Sequence, residues 1–197
     1  MSDQKRPYRK KRRAELEEET RRRITESAVA LHEEVGPAQT SITAIAELAG
    51  VRRSTVYRHF PDEDALFTAC SSHWRALNPP PDPAAWAELE DPAARTEAAL
   101  SELYAFYGRT HRMYESLFRD EALVPAVQRR LRDFHTYLRA LGDSLTAGRG
   151  RAGHRTRAAI GHALAFETWR SLAREQKLAD ADAVQLMCIL VEGASRR

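Results

Sequence analysis

Between Val51 and Phe60 the sequence VRRSTVYRHF gathers three arginines, a serine, a threonine, a tyrosine and a histidine within about three helical turns. Arginine forks onto O6 and N7 of guanine, whereas Thr, Tyr and His side chains reach phosphate oxygens, so this stretch is equipped to touch a nucleic acid. Val51, Val56 and Phe60 supply the apolar side that would dock such a helix, leaving the donors on its other faces. Catalytic chemistry has no comparable signature. The chain has no phosphate loop, no nucleophile elbow and no paired carboxylates at metal-ligand spacing, and it is read as a non-enzyme.

A donor-rich helix reads DNA only if neighbouring elements hold it at a surface. Upstream, Ile24, Ala28, Leu31 and Val35 recur at helical spacing, and Gly36-Pro37 ends that first helix. Ser41 is placed to cap a short second helix that turns Ile42, Ile45, Ala46 and Ala49 inward, and Gly50 supplies the turn that stops it. The third helix runs from about Arg53 to His59. Pro61-Asp62 then opens a fourth, with Leu66, Phe67, Cys70 and Trp74 toward the interior. Two short helices joined by a glycine-containing turn describe a helix-turn-helix, whose second helix enters the major groove.

The rest of the chain also reads as helical. NPPPDP, from Asn78 to Pro83, marks a connection, because proline has no amide proton and clashes with the preceding turn. Asp91-Pro92 starts a helix carrying Leu100, Leu103, Tyr104 and Tyr107. Pro125 starts another, a rod with Val127, Leu131, Phe134, Leu138, Leu141 and Leu145 on one face. AGRGRAGHR interrupts it as a mobile, solvated basic loop. Two last helices are predicted, from Thr156 to about Gln176 and from Ala181 to about Ala194. LMCILV in the second is apolar around most of its circumference and needs cover on more than one side, which a partner subunit would provide. No repeat and no strand-like alternation occurs, so the predicted fold is all-α.

Composition agrees with this reading. Of 197 residues 43% are hydrophobic and 30% charged, with no apolar run long enough to cross a bilayer and no apolar core of a secretory signal, so a cytoplasmic protein without a membrane partner is expected. Cys70 and Cys188 form no CxxC. His73 lies one turn from Cys70, and Glu115 one turn from His111, but neither pair belongs to a metal motif, so no metal and no cofactor are expected. Charge is uneven. The first sixty residues carry 13 Lys and Arg against 9 Asp and Glu, although the whole chain is only +3. Much of that excess is a block around Tyr8, including Arg9, Lys10, Lys11, Arg12 and Arg13, read as a flexible arm that binds polyanions.

With those residues set out, TSITAIAELAGVRRSTVYRHFPDEDALF and the helix before it resemble the DNA-binding head of the TetR family of transcriptional regulators. The resemblance runs from about Thr20 to Phe67 and rests on Ile45-Ala46, Ala49-Gly50-Val51, Arg53, Thr55, Tyr57, Phe60 and Leu66. GHALAFETWRSLAREQKLADADAVQLM is similar to the C-terminal helices of a subset of that family. The resemblance implies a homodimer whose last two helices per subunit form a four-helix bundle, with a small-molecule pocket in the body. Ligand binding there would shift the fourth helix and change the spacing of recognition helices that must lie about one helical turn, ~34 Å, apart. The chain departs from the family pattern at Glu63, where a basic residue is common, at Arg52 and Ser54, and in its more basic N-terminus.

These readings give a head on a helical ligand-binding and dimerisation body: arm 1–19, helix-turn-helix 20–67, body 68–197. Ser41, Arg52, Arg53, Ser54, Thr55, Tyr57, Arg58 and His59 are expected at double-stranded operator DNA. Trp74, Tyr104, Tyr107, Tyr114, Phe118, Phe134, Tyr137, His162, Phe166 and Trp169 are expected to line a pocket for an apolar or aromatic effector, held through a few polar tips. Trp169, Val184, Met187, Leu190 and Val191 are expected at the dimer interface. The functional expectation is a repressor released by its effector; the alternative is a constitutive DNA-binding protein whose body is only a dimerisation scaffold.

Overall fold

The computed structural model describes residues 5–147, 149 and 152–196, and among them every regular element is helical. The first, α1, runs from Lys5 to Glu34 and therefore takes in most of the predicted flexible arm. Its composition explains the difference. Arg, Lys, Ala, Leu and Glu are good helix formers, and Arg13–Glu17 (3.0 Å), Arg22–Glu19 (2.7 Å) and Arg22–Glu26 (2.9 Å) pair across one turn.

Two compact units make up the chain, the first containing α1 to α4 and the segment Arg112–Gln128. Here α2 (Ile42–Leu48), α3 (Arg53–His59) and α4 (Glu63–Leu77) follow the predicted boundaries. Ile24, Ala28, Ile45, Ala46, Val56, Phe60, Leu66 and Cys70 form their common core. His32 is buried in the same unit, 3.6 Å from the Cys70 sulfur and tilted against Phe67. Burial lowers its pKa to about 4, against a smaller opposing pull from Asp120.

Between α1 and the short 3-10 turn Pro37–Gln39, Gly36 adopts φ +90°. Arg119 Nη2 donates to the Val35 carbonyl (2.8 Å), and the Ala38 amide donates to Asp120 Oδ2 (2.9 Å). The two side chains also pair with each other at 2.8 Å. A Cβ at position 36 would run into both. Glycine is needed here for its backbone angle and for space.

The second unit comprises Pro79–His111 and Arg129–Arg197. Its first helix, α5 (Ala84–Ala87), falls where the sequence reading had only a proline-rich connection, and it buries Trp86. Asp91 accepts from the Ala93 and Ala94 amides to cap α6 (Pro92–Asp120), and α7 (Pro125–Ala147) begins at its proline. The helix predicted over 156–176 is divided. α8 (His154–Leu164) stops at Ala165, whose ψ of 138° is extended; α9 (Phe166–Trp169) and a π-helical turn (Arg170–Glu175) follow, and α10 (Asp180–Ser195) is the last helix.

Side chains satisfy the carbonyls freed at this break: Tyr104 Oη donates to Ala163 O (2.9 Å), Tyr107 Oη to Leu164 O (2.7 Å) and Thr168 Oγ1 to His162 O (2.6 Å). Of the stretch predicted as a solvated linker, residues 148, 150 and 151 lie outside the described residues, and Arg149 is engaged within the chain. Arg149, its side chain 6% exposed, pairs with Glu192 on α10 (2.6 Å) and donates to Pro92 O (2.9 Å) and Thr96 Oγ1 (2.7 Å) on α6.

Candidate nucleic-acid interface

The two helices of the motif are joined by a hydrogen-bonded turn. At the end of α2 the Val51 amide donates to Ala46 O (2.9 Å) and the Gly50 amide to Glu47 O (3.1 Å), with Gly50 at φ +64°. This is a Schellman arrangement, and Val51 packs on the core that contains Ala46, completing its apolar contact. Ser41 Oγ accepts from the Ala44 amide (3.1 Å) at the start of α2. Asp62 Oδ1 accepts from the Ala65 amide (2.7 Å) at the start of α4.

Val56 and Phe60 pin α3 to the core, and Arg52, Arg53, Ser54, Tyr57 and Arg58 are exposed, with Thr55 and His59 half-buried. Arg53 Nη2 donates to Tyr57 Oη (3.2 Å), and the guanidinium lies 5.5 Å from the centre of that ring. The hydrogen bond to Tyr57 raises the Arg53 pKa above its ordinary value, and the charge of Glu63 adds a smaller push.

The His59 Nε2 is buried without a partner, and burial lowers the pKa of the ring, the Arg58 and Arg21 charges lowering it further. The His59 carbonyl accepts from Arg21 Nη1 (2.8 Å), while the Arg21 guanidinium sits 4.3 Å over the Phe60 ring. Thr43, exposed on the first turn of α2, and the exposed Leu48 share the head's surface but went unnoticed in the sequence, because neither belongs to a run of donors. Lys10, Lys11, Arg12 and Arg13 are exposed on α1; the Arg9 side chain lies outside the described residues.

The ten expected pocket residues fall into two groups. Trp74, Tyr114 and Phe118 belong to the first unit, where Trp74 meets Tyr114 edge-on and its Nε1 donates to Glu33 (3.0 Å). In the second unit Tyr107 lies at the centre of a cluster with Phe166 (5.3 Å), Trp169 (5.9 Å), Phe134 and Tyr104 (6.3 Å each). The polar tips expected to hold a ligand are engaged within the chain. Besides Tyr104 and Tyr107, Tyr137 Oη donates to Pro81 O (2.8 Å) and Trp169 Nε1 to Asp180 (3.0 Å), and His162 is exposed.

The residues expected at the dimer face are placed as follows. Trp169, Val184, Met187 and Val191 are buried within the chain itself, and only Leu190 is exposed. The outer face of α10 instead carries Leu186, Ile189 and Leu190 at 42%, 65% and 41% exposure, and α8 exposes the small residues Ala158 and Gly161. Among the described residues no group of three or more His, Cys, Asp or Glu is placed to hold a metal, and no helix is long and apolar enough to cross a membrane.

A helix-turn-helix head joined to a helical body is the architecture of a DNA-binding regulator. Residues 24–70 match the model for bacterial regulatory proteins of the tetR family. That match spans the helix-turn-helix, and the fold of the chain is similar to that of solved TetR-like regulators. Similar solved structures include a TetR-like transcriptional regulator from Rhodococcus sp. RHA1, 20% identical with a TM-score of 0.63 over 88% of this chain and 93% of the other. The fatty acid degradation regulator FadR from Bacillus halodurans is 18% identical with a TM-score of 0.58, covering 90% and 97%. NalD, the secondary repressor of the MexAB-OprM multidrug efflux pump in Pseudomonas aeruginosa, is 22% identical with a TM-score of 0.58, covering 90% and 96%. A search of curated proteins finds no match.

Proposed function

We propose that the chain is a non-enzymatic repressor that binds a palindromic operator as a homodimer and is released by a small apolar molecule. The observation that carries the DNA-binding part is the exposed donor face of α3, fixed to the head by Val56, Phe60 and the Gly50 turn. Arg53 and Arg52 are assigned to base edges, and Ser41, Ser54, Thr55, Tyr57 and Arg58 to phosphates, with the exposed Thr43 joining them. A dimer through α8 and α10 is supported by the unpartnered Leu186, Ile189 and Leu190 beside small residues that let helices approach. Arg149 ties α10 to α6 and so stiffens the element on which that dimer would be built.

An apolar effector is supported by the ring cluster around Tyr107 and by structural neighbours named for fatty acid degradation and multidrug efflux. One observation favours the second reading, a constitutive DNA-binding protein with a scaffold body: the polar tips of that cluster are already hydrogen-bonded within the chain. The test selects duplexes from a random-sequence pool and then titrates hydrophobic compounds into the complex. An inverted repeat with half-sites about one helical turn apart supports the dimeric operator. If every compound that raises the melting temperature leaves DNA affinity unchanged, the scaffold reading stands.

A further inference from the structure

The amino-terminal stretch of α1 is a strongly charged surface that the helix-turn-helix does not account for. From Lys10 to Glu19 every side chain is exposed, and among the described residues their side-chain hydrogen bonds stay within α1, as in Arg13 to Glu17. The fold of the head therefore needs none of these side chains. Lys10, Lys11, Arg12 and Arg13 are consecutive, so they fan around the helix instead of facing one point, an arrangement that suits an extended polyanion better than a shaped pocket. No acidic residue stands in the first turn of α1 to offset these charges against the helix dipole.

The stretch also has a defined place in the head. Arg21, bonded to the His59 carbonyl and stacked on Phe60, fixes α1 at the carboxyl end of the recognition helix. Lys10 is eleven residues before Arg21, or about 17 Å along the helix, so the cations are spread along α1 up to that distance from the anchor, a length comparable to five base-pair steps, each ~3.4 Å.

We infer that this helical extension is a second DNA-contacting surface, which engages the phosphate backbone flanking each half-site. The inference rests on the head being a DNA-binding domain. Flanking contacts lengthen the footprint and add affinity that is independent of sequence, and they leave the base contacts to α3.

The experiment compares wild type with a variant carrying Lys10→Gln, Lys11→Gln, Arg12→Gln and Arg13→Gln, which keeps good helix formers at exposed positions. The probe is a duplex selected by the wild type from a random-sequence pool. It is used once with about 10 bp of arbitrary flank on each side, roughly twice the helix's reach, and once trimmed to the half-sites. On the flanked duplex the slope of log affinity against log salt is expected to fall by about 2 to 4 per protomer, as two to four cations are in reach. On the trimmed duplex the two proteins are expected to share one slope. Equal slopes on the flanked duplex, or an equal loss on the trimmed one, overturn the inference while leaving the head's function intact. Failure of the wild type to select any duplex overturns the head's assignment itself.

Discussion

The phenol of Tyr107 donates to the backbone carbonyl of Leu164 across 57 positions of sequence, at 2.7 Å and in a fully buried setting. That carbonyl has no helical donor because Ala165 leaves the helix, so the phenol replaces a backbone hydrogen bond. Tyr107→Phe keeps the ring and strands the carbonyl, at an expected cost of about 1 to 3 kcal/mol. Urea denaturation checks this. A loss of DNA affinity without a loss of stability would mean that the hydroxyl serves a ligand or a switch instead.

Arg53→Ala is expected to cost about 1 to 3 kcal/mol on the selected duplex and to relax preference at one position of each half-site. Affinity measured in parallel on random-sequence DNA separates base from backbone contacts, because a phosphate contact would be lost equally on both. Tyr57→Phe is informative beside it: removing the 3.2 Å hydrogen bond frees the guanidinium, and preference at that position should broaden before affinity falls.

Leu190 and Val191 are neighbours in sequence with opposite surroundings, one 41% exposed and the other fully buried. Leu190→Glu is expected to turn a dimer into a monomer by light scattering while leaving the chain folded. Val191→Glu buries an unpaired charge and should unfold the chain at a cost of several kcal/mol. Dissociation by neither Leu190→Glu nor Ile189→Glu would remove α10 from the interface.

Gly50 sits at φ +64° with open space where a Cβ would be, so Gly50→Ala tests backbone conformation alone. The expected destabilisation is about 1 to 2 kcal/mol by chemical denaturation. A neutral result would mean that the turn between α2 and α3 relaxes to another conformation.

Acid stability gives a fourth handle on the head. The His32 pKa is held at about 4 by burial, below its ordinary 6.5, so the unfolded chain binds a proton that the folded chain refuses. Stability is therefore fully present above pH 6.5 and is lost as pH falls toward 4, by on the order of 3 kcal/mol. Asp120 titrates at more acid pH. Burial pushes it up, but the Arg119 hydrogen bond and the Ala38 amide outweigh that and hold it below its ordinary value. His32→Gln should flatten the loss between pH 6.5 and 4, read from denaturation midpoints; an unchanged profile would assign it to other groups.

Much of the head was legible because its boundaries are written in local chemistry. Ser41, Gly50 and Asp62 each announce a helix end through a side chain or a backbone angle, and the structure uses all three in the expected way. The division between α8 and α9 was not legible. GHALAFETW has neither proline nor glycine at Ala165, and the break is compensated by hydroxyls on Tyr104 and Tyr107, which local spacing cannot reveal. The same holds for Arg149, which composition marks as a loop cation and whose acceptors are the distant Pro92, Thr96 and Glu192. Helical periodicity found the apolar character of α10 but not which of its faces the chain itself would cover. That choice left Leu186 and Ile189 outside and took Val184 and Met187 in.

The clasp of Arg119 and Asp120 on the turn at Gly36 has a genetic consequence. A screen for chains that no longer bind the duplex selected by the wild type should return substitutions at Gly36 alongside those on α3, since any side chain there displaces the clasp immediately ahead of α2. Glycine has no side chain to offer an operator, so its appearance among such mutants would record mechanical support and not contact. Suppressors should then arise by shortening Arg119, which makes room at the crowded position without altering any residue that faces DNA.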